Sequence, residues 1–251
     1  MNNSEYWDKL ARRRIELRHN SNINWQLEWE NEDPEVVFAD LVIGYAKEAE
    51  MVLDVGCGEG QMSREIAGFA KTVVGVDLSK TALDEAAGLS PEYYVQADAS
   101  KLPFVSEVFD LIYSHRGPGS ESMESLAEIR RVMKPGTVLL ALAIGELHRI
   151  ETQEIFGRGL KWPPAKPLRF AIPEKLASAG LEMISFSEYY AMCHYPDIQS
   201  YTARLEADSI IPDFDAQKDS AFLHQIERKL TTSRGISETE HVALFAALKP
   251  A

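Results

Sequence analysis

Short apolar runs alternate with helical patterns along the middle of the chain. Five runs rich in β-branched and other apolar residues cover residues 52–55, 72–76, 93–97, 109–113 and 137–144. Runs of this length and composition predict buried strands. Between several of them, apolar residues recur every three or four positions, which predicts helices. The pattern therefore predicts a series of strands, several of which are followed by a helix.

A glycine-rich turn follows the first predicted strand. The sequence over residues 52–60 is Val-Leu-Asp-Val-Gly-Cys-Gly-Glu-Gly, and its three glycines permit a sharp turn and the close approach of a ligand. A helix that begins after such a turn offers free backbone N–H groups to that ligand. Asp54 and Glu59 place negative charge at the turn. This charge suits a ligand with a positive centre and hydroxyl groups better than a pyrophosphate.

The same turn separates two classes of nucleotide-binding protein. The dinucleotide fingerprint G-x-G-x-x-G requires a small residue at position 61, where this chain has Gln61. A nicotinamide-dependent oxidoreductase is therefore the less favoured interpretation, and a titration with both cofactors separates the two classes.

Acidic residues also end the second and third predicted strands. Asp77 lies 17 residues after Gly60, where a carboxylate can bond to ribose hydroxyls; its alternative role is to cap the next helix. Asp98 and Ala99 follow the third strand. In this order, the turn and the two acids resemble the motifs of the class I S-adenosylmethionine-dependent methyltransferases.

The resemblance covers about residues 35–190 and a final strand near 240–249. It implies an α/β, Rossmann-like fold with a seven-stranded, mostly parallel sheet in the order 3-2-1-4-5-7-6 and helices on both faces. An N-terminal helical segment and a helical insertion between strands 6 and 7 complete the predicted fold. Thr137 stands where the family usually has a second glycine, a departure that affects a turn and not the chemistry.

S-adenosylmethionine is the cofactor that the resemblance implies, with S-adenosylhomocysteine as its product. In the family, the acid at the position of Asp98 and its neighbour contact the adenine; the alternative is a solvated loop acid. Cys57 has no activating partner in the sequence, so we expect a packing residue and not a nucleophile. The predicted cofactor-binding residues are Asp54, Gly56, Cys57, Gly58, Gly60, Asp77, Leu78, Asp98, Ala99 and Ser114.

A single methyltransferase domain of four segments is predicted for residues 1–251. Residues 1–33 form a lid-like segment, 34–193 the cofactor-binding core, 194–235 an insertion that covers the substrate, and 236–251 the final strand. The insertion follows the sixth strand, whose carboxyl end lies at the ligand face of a parallel sheet. The alternative for the tryptophan-rich first segment is packing against the flank of the sheet.

Composition narrows the class of methyl acceptor. The chain is 45% hydrophobic and has a formal net charge of −13, which disfavours a nucleic-acid partner. No apolar run reaches the roughly 18 residues of a membrane span, and the polar start of the chain is not that of a secretory signal. Cys57 and Cys193 fit neither a disulfide framework nor a zinc site. We therefore expect a cytoplasmic enzyme without a metal, monomeric or homodimeric, that methylates a small molecule. Protein or RNA methylation is the first alternative, and a non-catalytic cofactor-binding protein is the second.

Candidate catalytic residues follow the fourth and fifth strands. Methyl transfer from a sulfonium is an in-line displacement, so alignment and the exclusion of water matter most. His115 is the first candidate for a general base because histidine titrates near neutral pH, and His148 is the reserve. Arg116, Arg149 and Trp7 are predicted to contact the substrate. The alternatives are an orienting role for His115 and surface ion pairs for the two arginines.

Overall fold

One large sheet forms the centre of the computed structural model, which describes residues 3–19, 24–89, 93–119, 122–163 and 166–251. The strands are β1 (Gln26–Trp29), β2 (Met51–Val55), β3 (Thr72–Asp77), β4 (Tyr93–Gln96), β5 (Phe109–His115), β6 (Met133–Ile144), β7 (Glu182–Tyr195), β8 (Thr231–Thr232) and β9 (Gly235–Leu248). The helices are α1 (Asn3–His19), α2 (Pro34–Ala46), α3 (Gln61–Ile66), α4 (Lys80–Leu89), α5 (Met123–Val132), α6 (Ile150–Phe156), α7 (Leu168–Ser178), α8 (Ile198–Ala207) and α9 (Ser220–Leu230).

The strands lie in the order β1-β7-β9-β6-β5-β2-β3-β4, and β8 pairs with β9. The neighbours from β6 to β4 pair in parallel, whereas β9 is antiparallel to both β6 and β7. The predicted α/β architecture with a mostly parallel sheet is thereby confirmed. Without β1 and β8, and renumbered along the chain, the seven remaining strands follow 3-2-1-4-5-7-6.

Two strands of the sheet were not predicted, so the count of seven is corrected to nine in the described residues. β1 pairs with β7 at the edge of the sheet, from Gln26 opposite His194 to Trp29 opposite Ala191. Three of its four residues are exposed, so it lacks the alternation that marks a half-buried strand. β8 has only two residues and pairs with the start of β9.

Helices cover both faces of the sheet because successive strand residues point to opposite sides. On one face, Leu53, Ile112 and Leu139 belong to a cluster that includes α5 and α7 residues. On the other face, their neighbours Val52 and Leu111 pack against α2 and α3 in a second cluster. This cluster also contains Phe38, Val42, Ile66, Tyr113, Val138 and Leu140. The two clusters fix β2 and β5 rigidly at the centre, where their carboxyl ends meet.

A third apolar cluster joins the segment between β7 and β9 to the end of the sheet. It contains Tyr201 of α8 and Ile226 of α9, together with Phe156 and Tyr195. Both helices lie within the helical insertion that was predicted over residues 194–235. Among the described helices, none has the length and apolar character needed to cross a membrane.

Candidate active site

A cavity of about 810 Å³ opens at the carboxyl ends of β2, β3 and β5. Ligands of open α/β sheets bind at this edge, outside the ends of the parallel strands. The glycine-rich turn forms one wall, and the segments that follow β3, β4 and β5 form others. Trp7, Ala11 and Arg14 of α1 and Arg204 of α8 complete the lining.

The glycine-rich turn presents open backbone to the cavity at Gly58. This residue has a φ of +53°, and a Cβ built on it would meet nothing within 4 Å. Its N–H donates to Oδ2 of Asp77 over 2.9 Å. Gly56 has a φ of +80°, and a Cβ there would lie 2.6 Å from Cδ of Pro118. The turn therefore depends on glycine twice, for its backbone conformation and for the room around it.

Asp77 and Leu78 border the cavity directly after β3. Oδ1 of Asp77 accepts the N–H of Ser79 over 2.8 Å, while Oδ2 accepts that of Gly58. Each carboxylate oxygen has further acceptor capacity, which ribose hydroxyls can use. Ser79, not Asp77, caps the next helix, since its Oγ accepts the N–H of Ala82 over 3.1 Å.

Asp54 is a buried carboxyl with one unused oxygen. Its Oδ2 accepts hydrogen bonds from Ser63 Oγ, at 2.7 Å, and Tyr113 Oη, at 3.0 Å. Its Oδ1 has no partner among the described residues. Burial raises the pKa of Asp54 to about 6 despite these two hydrogen bonds. A cationic or N–H-bearing ligand in the cavity would satisfy the free oxygen and favour the ionised form.

Of the remaining predicted cofactor residues, three border the cavity and two lie behind its wall. Cys57, Asp98 and Ala99 border the cavity. Oδ1 of Asp98 accepts the N–H and the hydroxyl of Ser100, so this acid sits in a tight turn with its side chain exposed. Burial raises the pKa of the Cys57 thiol well above its usual range, which makes a nucleophilic thiolate unfavourable.

Gly60 and Ser114 lie behind the cavity wall. Gly60 begins α3 and packs against the Tyr94 ring. Oγ of Ser114 donates to the carbonyl of Val55 over 2.8 Å and accepts the N–H of Gly119 over 3.1 Å. The hydroxyl is therefore engaged with backbone. This placement corrects the expectation of direct cofactor contact by Ser114: the residue joins the end of β2 to the loop after β5.

His115 borders the cavity and is held by Glu35, a residue that the sequence analysis missed. Nε2 of His115 forms a short hydrogen bond with Oε2 of Glu35, and its ring stacks on Phe38 with centroids 5.6 Å apart. Arg116 binds the other carboxylate oxygen of Glu35, Oε1, through Nε at 2.9 Å and Nη2 at 2.8 Å. Burial would raise the pKa of Glu35, but the His115 hydrogen bond and the charges of Arg116 and His115 lower it to about 2.

His148 and Arg149 lie away from the cavity, which corrects the expectation that both face the substrate. Nδ1 of His148 is 2.8 Å from Oε2 of Glu240, and both side chains are buried. Arg149 has no exposed surface and forms short ion pairs with Glu238 and Asp208. Desolvation makes a buried guanidinium costly unless it is paired, so these carboxylates explain why Arg149 points inward.

Helix α1 covers the cavity with one face. Trp7, Ala11 and Arg14 follow a spacing of four and three residues, which places them on the same side of the helix. Asp8 anchors the helix, because its Oδ1 accepts the N–H of Thr81 over 3.0 Å and the hydroxyl of Ser79 over 2.8 Å. Trp7 is therefore placed where a substrate contact is expected.

One group of side chains in the described part of the chain has the spacing of a metal site, and it lies outside the cavity. Ligand atoms of Glu146, Glu188 and His241 lie within 4.8 Å of one another. Nδ1 of His241, however, accepts the N–H of Leu147 over 3.2 Å. A neutral ring with that acceptor carries its proton on Nε2, which faces Glu188 at 3.5 Å. The group is best described as a buried histidine between two carboxylates.

The fold and the cavity together define a Rossmann-like protein with a cavity at the carboxyl ends of its parallel strands. Comparison with known proteins narrows this class, since residues 53–141 match the family of methyltransferase domains. An uncharacterised methyltransferase from Synechocystis is 35% identical over 120 residues, which cover 46% of this chain and 52% of that protein. A malonyl-acyl-carrier-protein O-methyltransferase from Salmonella typhimurium is 36% identical over 91 residues, which cover 35% of this chain and 36% of that protein.

Solved structures share the whole fold at low sequence identity. A protein of unknown function from Deinococcus radiodurans superposes with a TM-score of 0.64 at 20% identity, covering 98% of this chain and 99% of its own. The cyclase SpnF gives a TM-score of 0.63 at 19% identity, covering 99% of this chain and 96% of its own. These likenesses concern the fold alone.

The match over residues 53–141 and the methyltransferase relatives support the resemblance to the class I S-adenosylmethionine-dependent methyltransferases that the motifs indicated. The aligned part of the chain spans about half or less of the curated relatives first matched, at 52%, 41% and 36% of their lengths.

Proposed function

We propose that the protein transfers the methyl group of S-adenosylmethionine to a small-molecule acceptor bound in the cavity. The observation that carries the proposal is the shared cavity wall. The glycine-rich turn, Asp77 and His115 all border one space, which α1 and α8 cover. A cofactor and an acceptor can therefore meet there.

The cofactor fits the residues on the acidic side of the cavity. Asp77 would bind the ribose hydroxyls, and Asp98 with Ala99 would border the adenine. Gly56 and Gly58 let the backbone approach closely. The unpartnered Oδ1 of Asp54 suits the positively charged amino group of the cofactor. When bound, S-adenosylmethionine supplies an activated methyl group on a sulfonium.

Glu35 prepares His115 to accept a proton from the acceptor. The Glu35 carboxylate takes the Nε2 hydrogen bond, which leaves Nδ1 of the neutral ring with a free lone pair. The same carboxylate would stabilise the imidazolium after the proton moves to Nδ1. Stacking on Phe38 keeps the ring in one plane while the acceptor is aligned.

Several observations support a small-molecule acceptor. The cavity is covered by two helices rather than open to a long polymer, and the net charge of −13 opposes a nucleic-acid backbone. Relatives in the comparison include a sterol 24-C-methyltransferase from Gibberella zeae, which is 38% identical over 97 residues, covering 35% of this chain and 26% of that protein. The malonyl-acyl-carrier-protein O-methyltransferases keep a protein-bound acceptor as the second candidate.

The acceptor class is tested by incubating the enzyme and tritiated S-adenosylmethionine with cell extract divided into metabolite, RNA and protein fractions. We expect label in the metabolite fraction. Label mainly in protein would favour the second candidate, and label mainly in RNA would contradict the charge argument. Calorimetry with S-adenosylmethionine, S-adenosylhomocysteine and NAD tests the cofactor, and tight binding of NAD alone would overturn the family-based assignment.

Replacing Asp77 by alanine is expected to weaken S-adenosylhomocysteine binding by about 1.5–3 kcal/mol, the scale of hydrogen bonds to a charged group. The change also removes the acceptor of the Gly58 N–H, so both effects act in the same direction. Calorimetry measures the loss, with Asp84→Ala as control because Asp84 is an exposed acid of α4 that pairs with Lys80. Affinity like that of the unaltered protein would remove Asp77 from the ribose-binding role.

Cofactor affinity is expected to fall below about pH 6 because of Asp54. Its pKa is raised to about 6 in the folded protein, so below that pH the carboxyl is mostly neutral and attracts a cationic ligand less. If binding requires the ionised form, affinity drops by up to about tenfold per pH unit below the pKa. The same raised pKa makes the unliganded fold gain stability as pH falls from 6 toward the unfolded value near 4.

Asp54→Asn checks the origin of this pH dependence. We expect the variant to bind more weakly at pH 8 and to show a flat affinity profile between pH 5 and 8. A profile that keeps its slope in the variant would assign the titration to another group.

A further inference from the structure

Two arginines from different covering helices face the same part of the cavity. Arg14 lies on α1 and Arg204 on α8, and both border the space that the glycine-rich turn encloses from the other side. The two helices that carry these arginines, α1 and α8, pack against each other. Two like charges that border one cavity repel each other unless a counter-charge lies nearby.

Neighbouring acids neutralise this pair incompletely. No ion pair joins Arg14 to another of the described residues. Burial lowers the pKa of Arg14, and the charges of Asp77 and Asp208 oppose that effect. Nε of Arg204 lies 3.5 Å from Oδ2 of Asp208 but makes no hydrogen bond within the described chain. Arg149 approaches the same Asp208 oxygen more closely. Both guanidinium groups therefore keep N–H donors for a ligand.

The other charged side chains of the cavity wall are either paired with another residue, as Arg116 is, or are acidic. Arg116 places Nε and Nη2 on Glu35. The wall formed by the strand ends carries Asp54, Asp77 and Asp98, which suit the amino group and hydroxyls of the cofactor. The cavity is thus acidic where the cofactor is proposed to lie and basic beneath the two covering helices.

Resting on the proposed function, we propose that Arg14 and Arg204 form a subsite for an anionic group, a carboxylate or a phosphate, of the methyl acceptor. A guanidinium binds such groups through paired N–H donors in a fixed geometry. Trp25 supports the arrangement, because Cζ of Arg204 lies 4.8 Å from the centroid of its ring and the ring limits where the side chain can swing. Because one arginine comes from each covering helix, an anion between them would also hold the helices over the reacting groups.

The cofactor carries a carboxylate of its own, and the experiment separates the two sources. Inorganic phosphate is titrated by calorimetry into the protein saturated with S-adenosylhomocysteine. We expect phosphate to bind this complex, and Arg204→Gln and Arg14→Gln each to weaken its binding about tenfold or more, the effect of losing hydrogen bonds to a charged group. The affinity for S-adenosylhomocysteine should stay within about twofold in both variants.

The matched control is Arg13→Gln. Arg13 is the neighbour of Arg14 on α1, but its guanidinium pairs with Glu16 and Glu206 outside the cavity. This variant should bind phosphate like the unaltered protein, and circular dichroism should show the same fold for all three variants.

Two results would overturn the proposal. One is unchanged phosphate affinity in Arg204→Gln. The other combines two observations: bound S-adenosylhomocysteine prevents phosphate binding, and Arg14→Gln weakens the binding of S-adenosylhomocysteine but not that of 5′-methylthioadenosine. The anion that the arginines bind would then be the carboxylate of the cofactor. Failure of S-adenosylhomocysteine to bind at all would instead overturn the proposed function. In that case phosphate binding to the free protein, lost in Arg204→Gln, would still support an anion site.

Discussion

Replacing Gly58 by valine is expected to abolish binding of S-adenosylhomocysteine while most of the fold survives. The residue borders the cavity with a φ of +53°, where a β-branched side chain is strained, and the space beside its Cα is open. A valine would fill space that the cofactor needs and would disturb the N–H that donates to Asp77. We expect calorimetry to detect no binding at ligand concentrations that saturate the unaltered protein.

Gly136→Val is the matched control. Gly136 also has a left-handed φ, +78°, with nothing within 4 Å of a Cβ, but it lies near the start of β6, where its N–H donates to the carbonyl of Lys249, and it does not line the cavity. Both variants should lose about 1–2 kcal/mol of stability from backbone strain. Only Gly58→Val should lose the cofactor. A Gly58→Val protein that binds within tenfold of the original would show that the turn does not cradle the ligand.

Replacing His115 by alanine is expected to lower turnover about 10²–10⁴-fold, the range for loss of a general base. Cofactor affinity should change little, because the predicted cofactor contacts lie on the glycine-rich turn and after β3 and β4. The pH profile of turnover should lose the limb that reports deprotonation of the base. Single-turnover kinetics with S-adenosylmethionine and the identified acceptor separate this effect from product release.

His224→Ala controls for the loss of a histidine, since His224 lies exposed on α9. A rate loss below about tenfold in His115→Ala would mean that alignment alone drives transfer. His115 would then be an orienting residue tied to Glu35, and its variant should keep the pH profile of the original enzyme.

The sequence predicted those features that depend on short stretches of chain. The strand cores and the turn at 56–60 follow from local apolar patterns and glycine spacing, and the structure contains them. Asp77 could be placed at the ligand edge because it directly follows a strand of a parallel sheet. The two helices between β7 and β9 were also predictable, since their apolar positions recur at helical spacing.

Features that depend on distant partners could not be predicted. Glu35 holds His115 from 80 positions away, and the only sequence signal at Glu35 was its place beside Pro34 at a helix start. His148 and Arg149 were assigned to the cavity because they follow β6. The structure turns them inward because Glu240 and Glu238, on β9, supply the buried counter-charges. No local sequence pattern indicates that remote carboxylates will pair with His148 and Arg149 and turn both side chains away from the cavity.

The central position of β9 has a consequence for how the protein is made. This strand, Gly235–Leu248, follows both β6 and β7 in the chain, yet it pairs with β6 on one side and β7 on the other. During synthesis β6 and β7 therefore emerge as two separate apolar edges, which cannot be bridged until residues near 248 have left the ribosome. A nascent chain arrested before that point would expose strand edges that favour aggregation. Glu240, the partner of His148, and Glu238, one of the partners of Arg149, arrive with the same strand, so closure of the sheet also brings these counter-charges into the core.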